Sequence, residues 1–109
     1  MKIHTALGPG LLENVYRTCL CHELRSCGLH VQTEVPVTLN HPAVRADVSF
    51  RIDMLVEGIV IVELKSVAKL LPLHHAQLLS YLKLSGRPVG LLINFNVVHL
   101  REGIKRMVN

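Results

Sequence analysis

The sequence predicts an α/β fold in which helices flank a mixed sheet. Apolar residues recur at helical spacing near the start of the chain and then alternate with polar residues through three successive segments. A nearly continuous apolar run at residues 89–95 indicates a strand that is covered on both faces. A chain that leaves a meander, forms a helix and returns to a buried strand makes a crossover. The predicted order is helix, three strands, helix and one or two strands, in a single domain of residues 1–109.

The two helices are each predicted between breaks in the chain. Gly8-Pro9-Gly10 precedes the first helix, because proline and glycine do not suit a helix interior. Apolar residues then recur at steps of three and four as far as Leu24, and Gly28 occupies the position that follows a helix C-terminus. The second helix is predicted from Pro72, at its favoured first position, to Gly86 after its end.

Three strands are predicted between the helices. They are residues 29–39, 46–56 and 59–66. A turn at Asn40-His41-Pro42 separates the first strand from the second, and a turn at Glu57-Gly58 joins the second strand to the third. The end of the chain is predicted to add a short edge strand at residues 103–108.

Burial decides how the second and third strands pair. If odd-numbered residues pair with odd-numbered residues, one face of the hairpin is wholly apolar. Its members are Val48, Phe50, Ile52, Met54, Val56, Val60, Val62 and Leu64. The other register mixes charged and apolar residues on each face, and a buried unpaired carboxylate is strongly destabilising. Odd pairing requires a turn with an odd number of residues, which we predict as three with a positive φ at Gly58.

The same register places Asp53, Glu63 and Lys65 together on the opposite face, within about 4.5–8 Å of one another at Cβ. Two carboxylates at this spacing, with a backbone carbonyl, form an oxygen cage suited to Mg²⁺, which activates water and neutralises phosphate charge. A lysine nearby can orient the attacking water or stabilise charge in the transition state. The alternative interpretation is a structural ion pair between Lys65 and one carboxylate on a partly covered sheet.

Asp53 followed by Glu63-Leu64-Lys65 resembles the D…(D/E)-x-K signature of the PD-(D/E)XK nuclease superfamily. Gln77 and Tyr81 resemble the Q-x-x-x-Y motif of its RecB-type nucleases and lie one helical turn apart. The chain is most similar to the bacterial GxxExxY family, whose name residues 10–16 match letter for letter. Further similar blocks are Phe50-Arg51-Ile52-Asp53, Val62-Glu63-Leu64-Lys65, His74-His75-Ala76-Gln77 and Leu91-Leu92-Ile93-Asn94-Phe95-Asn96.

The resemblance implies a restriction-endonuclease-like αβββαβ core and a magnesium-dependent nuclease, with Mn²⁺ as the alternative ion. It implies a metal-binding set of Glu13, Asp53 and Glu63 and a catalytic set of Asp53, Glu63, Lys65, Gln77 and Tyr81. Helical spacing also places Glu13 beside Tyr16 on the side that faces the sheet. The alternative for Glu13 is a first-turn acid that interacts with the helix dipole. The chain departs from the family at His75, where relatives usually carry glutamate.

Composition argues against a membrane-spanning, secreted or disulfide-stabilised protein. No apolar run approaches the ~18 residues of a membrane span, and the N-terminus lacks the apolar core of a secretory signal, so a soluble cytoplasmic protein is expected. The cysteines Cys19, Cys21 and Cys27 are odd in number, which argues against a disulfide framework. Ordinary packing is the preferred interpretation for them over zinc binding.

Two function hypotheses remain open at this point. The first is a nuclease acting on nucleic acid, DNA more than RNA, by metal-activated water. The second is a non-catalytic nucleic-acid-binding or protein-interaction module that keeps the nuclease fold. A net charge of +4 permits a polyanionic partner, although the basic residues are spread along the chain. A homodimer would supply more surface for such a partner, and no membrane is expected to be one.

Overall fold

The strands form one mixed five-stranded sheet with a helix on each face. The computed structural model describes residues 12–38, 49–97 and 99–109. The helices are α1 (Glu13–Ser26) and α2 (Pro72–Ser85), and the strands are β1 (Val31–Thr38), β2 (Ser49–Val56), β3 (Val60–Lys65), β4 (Val89–Asn94) and β5 (Ile104–Val108), with a 3₁₀ helix at Leu100–Gly103. The strand order is β1-β2-β3-β4-β5. Among the strands of the described residues, only β3 and β4 pair in parallel, which confirms the predicted crossover through α2.

Some predictions fall outside the described residues. They concern the break at Gly8-Pro9-Gly10, the turn at Asn40-His41-Pro42 and the start of the second predicted strand at residues 46–48. The predicted edge strand at the end of the chain is confirmed as β5, which pairs with β4 alone among the described strands.

Each helix covers its own hydrophobic core on one side of the sheet. Tyr16, Leu20 and Cys21 of α1 pack in one core, which also contains residues of β2, β3 and β4. Leu78 and Leu82 of α2 pack in a second core against the opposite face. The prediction of a sheet flanked by helices is therefore confirmed. None of the helices in the described ranges is long and apolar enough to cross a membrane.

The helix ends follow the local signals in the sequence. Gly28 after α1 and Gly86 after α2 have φ of 87° and 71°, the left-handed conformation that glycine adopts at low cost. Pro72 is the first residue of α2, where its missing N–H leaves no hydrogen bond unmade. The N–H of Leu71 donates to Nδ1 of His74 at 3.0 Å, so this imidazole stabilises the start of α2.

The three cysteines are all free, and Cys21 is buried in the α1 core, as packing predicts.

The hairpin between β2 and β3 has the register that burial predicts. Leu55 pairs with Ile61 and Met54 with Val62, so odd residues pair with odd and even with even. The turn contains the three residues 57–59, and Gly58 has a φ of 66°. Glu57 also has a positive φ, of 55°, and its carboxylate accepts a 2.7 Å hydrogen bond from the N–H of His30. This contact accounts for a non-glycine residue in a left-handed conformation.

The prediction of one continuous apolar face along β2 is wrong at its first half. Met54 packs in the α1 core, but Ile52 is buried in the α2 core and Phe50 packs against that same core. The alternation therefore changes face between Ile52 and Met54. The neighbouring strand β1 changes face in step, because Val31 lies in the α1 core whereas Val35 packs against the α2 core.

The change of face has a local backbone cause. Thr33 pairs with Met54 and Val35 with Ile52, while Glu34 and Asp53, which lie between these pairs, are not paired. Glu34 has a φ of 51°, which rotates the following side chains relative to the preceding ones. A left-handed conformation at a residue with a side chain costs about 1–2 kcal/mol. The strained residue therefore lies directly across the strands from Asp53.

Candidate active site

Asp53 and Glu63 meet where β2 and β3 stop pairing. The backbone N–H of Asp53 donates to Oε1 of Glu63 at 3.1 Å. In return, Oδ2 of Asp53 accepts a 2.9 Å hydrogen bond from the backbone N–H of Leu64. Each carboxylate therefore takes the place of a missing ladder partner on the other strand. This exchange brings the two carboxylates together, as the predicted register requires.

Burial and repulsion disfavour a charge on Glu63. Its side chain is only 6% exposed. Desolvation by burial, together with repulsion from Asp53, raises the pKa of Glu63 from 4.5 to about 7. The charge of Lys65 acts in the opposite direction and lowers the pKa of Glu63. The pair thus concentrates negative charge, and a cation there would favour the ionised form of Glu63.

Lys65 is the last residue of β3 and follows Glu63 by two positions. It is half-buried, and its backbone carbonyl accepts a 2.9 Å hydrogen bond from the N–H of Phe95, just beyond the parallel strand β4. The main chain at Lys65 is therefore held on the β4 side. The position of Lys65 two residues after Glu63 on β3 puts the two side chains on the same face of the strand, as the predicted register requires.

Gln77 and Tyr81 approach the carboxylates from α2. Nε2 of Gln77 donates to the hydroxyl oxygen of Tyr81 at 2.8 Å, so the one-turn spacing produces a direct contact. The Tyr81 ring stacks on Phe50 with centroids 4.3 Å apart. Desolvation by burial raises the pKa of Tyr81, and the charges of Glu63 and Asp53 raise it further. The hydroxyl therefore lies within electrostatic reach of both carboxylates and stays protonated at neutral pH.

Arg17 reaches the carboxylates from the other helix. Its Nη1 lies 3.9 Å from Oδ1 of Asp53, and its Nη2 lies 3.3 Å from Oε1 of Glu34. Arg17 and Asp53 are about one quarter exposed, so this cation is partly shielded from solvent. Glu13 lies one turn earlier on α1 and is half-buried in its first turn. The i, i+4 spacing places Glu13 and Arg17 on the same face of α1.

These contacts agree with a comparison to known families. A profile of the PD-(D/E)XK nuclease superfamily matches residues 1–107. The chain belongs to this superfamily. Its mixed sheet with two flanking helices has the restriction-endonuclease-like fold of the superfamily. No curated protein and no solved structure matches the chain.

PD-(D/E)XK nucleases generally use divalent metals, and the donor set of this member fits such an ion. Two carboxylates converge, and desolvation by burial, with repulsion from Asp53, raises the pKa of the buried Glu63. Mg²⁺ is commonly bound by one or two carboxylates and keeps several waters. Within the described residues, no group of three or more His, Cys, Asp and Glu side chains could hold a metal. Glu13 therefore does not complete a three-carboxylate cluster with Asp53 and Glu63 here, and its role as a ligand stays a prediction.

Four further residues shape the site of this PD-(D/E)XK protein and were not predicted: Arg17, Glu34, Phe50 and Asn94. Asn94 is 2% exposed, and its amide donates to the carbonyl of Val67 and accepts from the N–H of Val67 at 2.9 and 3.1 Å. It thereby fixes the segment that leads from Lys65 to α2. Helical spacing from Glu13 could have identified Arg17, and the polar run Gln32-Thr33-Glu34 within a strand could have identified Glu34. The sequence carries no comparable signal for Phe50, because its face depends on the strained backbone beside it.

Proposed function

We propose that this chain is a metal-dependent nuclease that hydrolyses phosphodiester bonds of nucleic acid. The observation that carries the proposal is the contact between Asp53 and Glu63 at the point where two strands separate. A purely structural pair of adjacent carboxylates, one of them buried, is unfavourable, because like charges at short range raise the free energy of the ionised state. A cation-binding site gives this arrangement a chemical reason.

The proposed metal ligands are Asp53 and Glu63, with Glu13 as a further ligand supplied by α1. A divalent cation held there would supply a water of lowered pKa and neutralise charge on the phosphate. Lys65 donates hydrogen bonds to the attacking water or to an oxygen of the phosphate, which stabilises the charge that develops in the transition state. Its position beside Glu63 supports this role.

Gln77 and Tyr81 complete the proposed catalytic set. Gln77 donates to the Tyr81 oxygen, so the Tyr81 hydrogen remains available for an acceptor such as a phosphate oxygen. The stack on Phe50 restricts the ring, which keeps the hydroxyl at a fixed place beside the carboxylates. The raised pKa of Tyr81 keeps this hydroxyl a hydrogen-bond donor at neutral and mildly alkaline pH.

Several finer assignments belong to the same proposal. Residues 10–16 and the motif at Gln77 and Tyr81 support membership of the GxxExxY family with RecB-like features. Mg²⁺ is the proposed ion, with Mn²⁺ as a substitute, and DNA is preferred to RNA as the substrate. The proposed location is the bacterial cytoplasm, and the proposed domain spans residues 1–109 as one unit.

The test is cleavage of end-labelled DNA and RNA oligonucleotides in excess MgCl₂, MnCl₂ or EDTA. Wild type is expected to cleave the oligonucleotides in the presence of either metal and to show no cleavage in EDTA. Asp53→Asn, Glu63→Gln and Lys65→Met are each expected to lose about 100-fold or more of the rate. Glu102→Gln removes an exposed carboxylate outside the site and serves as the matched control. Wild type that cleaves nothing, or an Asp53→Asn variant as active as wild type, would contradict the proposal.

A further inference from the structure

A groove between α1 and β1 opens beside the carboxylate pair. Its volume is about 450 Å³, within the range of ~300–1,000 Å³ that is common for ligand sites. Helix α1 contributes Arg17, Thr18, His22 and Arg25 to its wall, and β1 contributes Thr33 and Glu34. The groove lies outside the set Asp53, Glu63, Lys65, Gln77 and Tyr81, and the proposed chemistry gives it no role.

Arg17 joins the groove to the carboxylate pair. It lines the groove and also approaches Asp53 at 3.9 Å. A tight charge-assisted hydrogen bond measures about 2.7–2.9 Å, so the contacts of Arg17 at 3.3 and 3.9 Å orient its guanidinium without fully engaging it. A phosphate oxygen next to Asp53 could therefore bind the same group.

Arg25 supplies a second guanidinium at the far end of the groove, two helical turns from Arg17 along α1. One of its nitrogens, Nη2, donates to the carbonyl of Val31 at 2.7 Å, which ties the side chain to the edge of β1. A guanidinium has five N–H donors, so this bond fixes the position of Arg25 while leaving donors that can face a ligand. Eight residues of helix cover about 12 Å, which is the scale of two nucleotides in an extended strand.

The chemistry of the groove fits a phosphodiester backbone. Its wall carries two guanidinium groups, the hydroxyl of Thr33 and one imidazole, against a single carboxylate of Glu34. The hydroxyl of Thr18 also lines the groove but donates to the carbonyl of Asn14 at 2.9 Å. Arginine and threonine side chains are among the groups that contact phosphate and sugar in protein–nucleic acid complexes. Glu34 forms an ion pair with Arg17 and has a strained backbone conformation. Its carboxylate therefore positions the guanidinium of Arg17 and does not block the groove.

We propose that the groove between α1 and β1 binds the phosphodiester backbone of the nucleic-acid substrate on one side of the bond that is cut. Arg17 contacts the phosphate nearest to the carboxylate pair, and Arg25 contacts a phosphate further along the strand. The proposal rests on the proposed nucleic-acid substrate, but it does not require a bound metal. Binding can therefore be measured in EDTA, where cleavage does not occur.

The test is fluorescence anisotropy of a labelled single-stranded DNA oligonucleotide in EDTA over a series of NaCl concentrations. The variants are Arg17→Gln and Arg25→Gln, which keep a hydrogen-bond donor and remove the charge. Arg25→Gln has a matched control in Lys83→Gln, because both positions are basic residues in the last turn of a helix. Arg101→Gln, at an exposed position of the 3₁₀ helix, is the control for Arg17→Gln.

Each groove variant is expected to raise the Kd about 3- to 10-fold and to reduce the slope of log Kd against log [NaCl] by about 0.7 for a single strand. The controls are expected to change the Kd less than about twofold, since they remove only distant charge. Equal effects of groove and control variants would overturn the proposal. So would wild type that does not bind the oligonucleotide.

A second measurement uses wild type alone, so it does not depend on how the variants fold. Addition of the unlabelled oligonucleotide in EDTA is expected to shift the backbone amide NMR signals of residues 17–25 and 33–34 most strongly. Shifts confined to α2 or β5 would overturn the proposal. Wild type that binds through the groove but cuts nothing in MgCl₂ or MnCl₂ would instead contradict the nuclease function and leave the groove assignment standing. Wild type that cuts while the groove variants bind normally would contradict the groove alone.

Discussion

Asp53 and Glu63 are held together by hydrogen bonds between the side chain of one strand and the main chain of the other. The N–H of Asp53 donates to Glu63, and the Asp53 carboxylate accepts from the N–H of Leu64. The strands do not pair at this point, so the carboxylates satisfy main-chain groups that a regular ladder would have satisfied. The site therefore exists because the sheet is interrupted there.

The raised pKa of Glu63 predicts how stability depends on pH in metal-free buffer. The folded-state pKa of about 7 exceeds the unfolded value of 4.5, so the folded state binds the proton more tightly. Stability from this group is fully present below pH 4.5 and is lost as the pH rises through about 7. The loss is expected to be about 3–4 kcal/mol in the free energy of unfolding once Glu63 is fully ionised.

Urea denaturation in EDTA at a series of pH values between these limits measures the effect. Glu63→Gln, which carries no titrating proton, is expected to flatten the decline, whereas the exposed-site control Glu102→Gln is expected to keep it. A wild-type protein whose stability rises through the same pH interval, with Glu63→Gln behaving identically, would show that Glu63 does not titrate in this way.

Tyr81→Phe tests the role of the Tyr81 hydroxyl separately from that of the aromatic ring. The variant keeps the stack on Phe50, so its melting temperature is expected to stay close to that of wild type. Loss of the hydroxyl is expected to lower the rate of cleavage about 10- to 100-fold, the scale of one positioned hydrogen-bond donor. Single-turnover assays with saturating protein measure this rate. Unchanged cleavage would remove Tyr81 from the catalytic set.

Asn94→Ala is expected to lower the free energy of unfolding by about 2–4 kcal/mol, because it leaves both the N–H and the carbonyl of Val67 without their partner. Asn14→Ala, at an exposed position of α1, is the matched control and is expected to be neutral or slightly stabilising. Urea denaturation compares the two. A loss no larger than that of the control would mean that the segment between β3 and α2 is held by other contacts.

Gly58→Ala tests the turn between β2 and β3. No atom lies within 4 Å of a Cβ built at Gly58, so substitution there meets no steric clash. The φ of 66° remains unfavourable for alanine, and a loss of about 1 kcal/mol in the free energy of unfolding is expected. Gly58→Asn is expected to lose less, since asparagine tolerates this conformation. Equal stability of the two variants would contradict a left-handed residue at this position.

The fold and the hairpin register were predictable because they follow from local periodicity and from the cost of burying charge. The pairing of Leu55 with Ile61 and the positive φ of Gly58 both follow from that single argument. The change of face at Ile52 was not predictable in the same way. It depends on the left-handed backbone of Glu34 on the neighbouring strand, and the alternation of β2 contains no sign of it.

The residues of the candidate site that could be predicted are those that lie close together in the sequence or that the strand register brings together. Asp53, Glu63 and Lys65 belong to one hairpin, and Gln77 and Tyr81 belong to one helix turn. Arg17 lies one helical turn after Glu13, so helical spacing could have pointed to it, but its contact with Asp53 depends on the packing of α1. Asn94 is brought to its partner Val67 by tertiary packing of β4. A buried amide or a helical arginine occurs in many proteins without a role in a site.

The proposed nuclease function depends on the binding of a divalent cation by Asp53 and Glu63. Isothermal titration calorimetry of wild type, Asp53→Ala and Glu63→Ala with MgCl₂ and MnCl₂ tests it most directly, with Glu102→Ala as the control. Wild type and Glu102→Ala are expected to bind the ion, and binding is expected to be lost in Asp53→Ala and in Glu63→Ala. Wild type that binds neither ion, or site variants that bind as tightly as wild type, would contradict it.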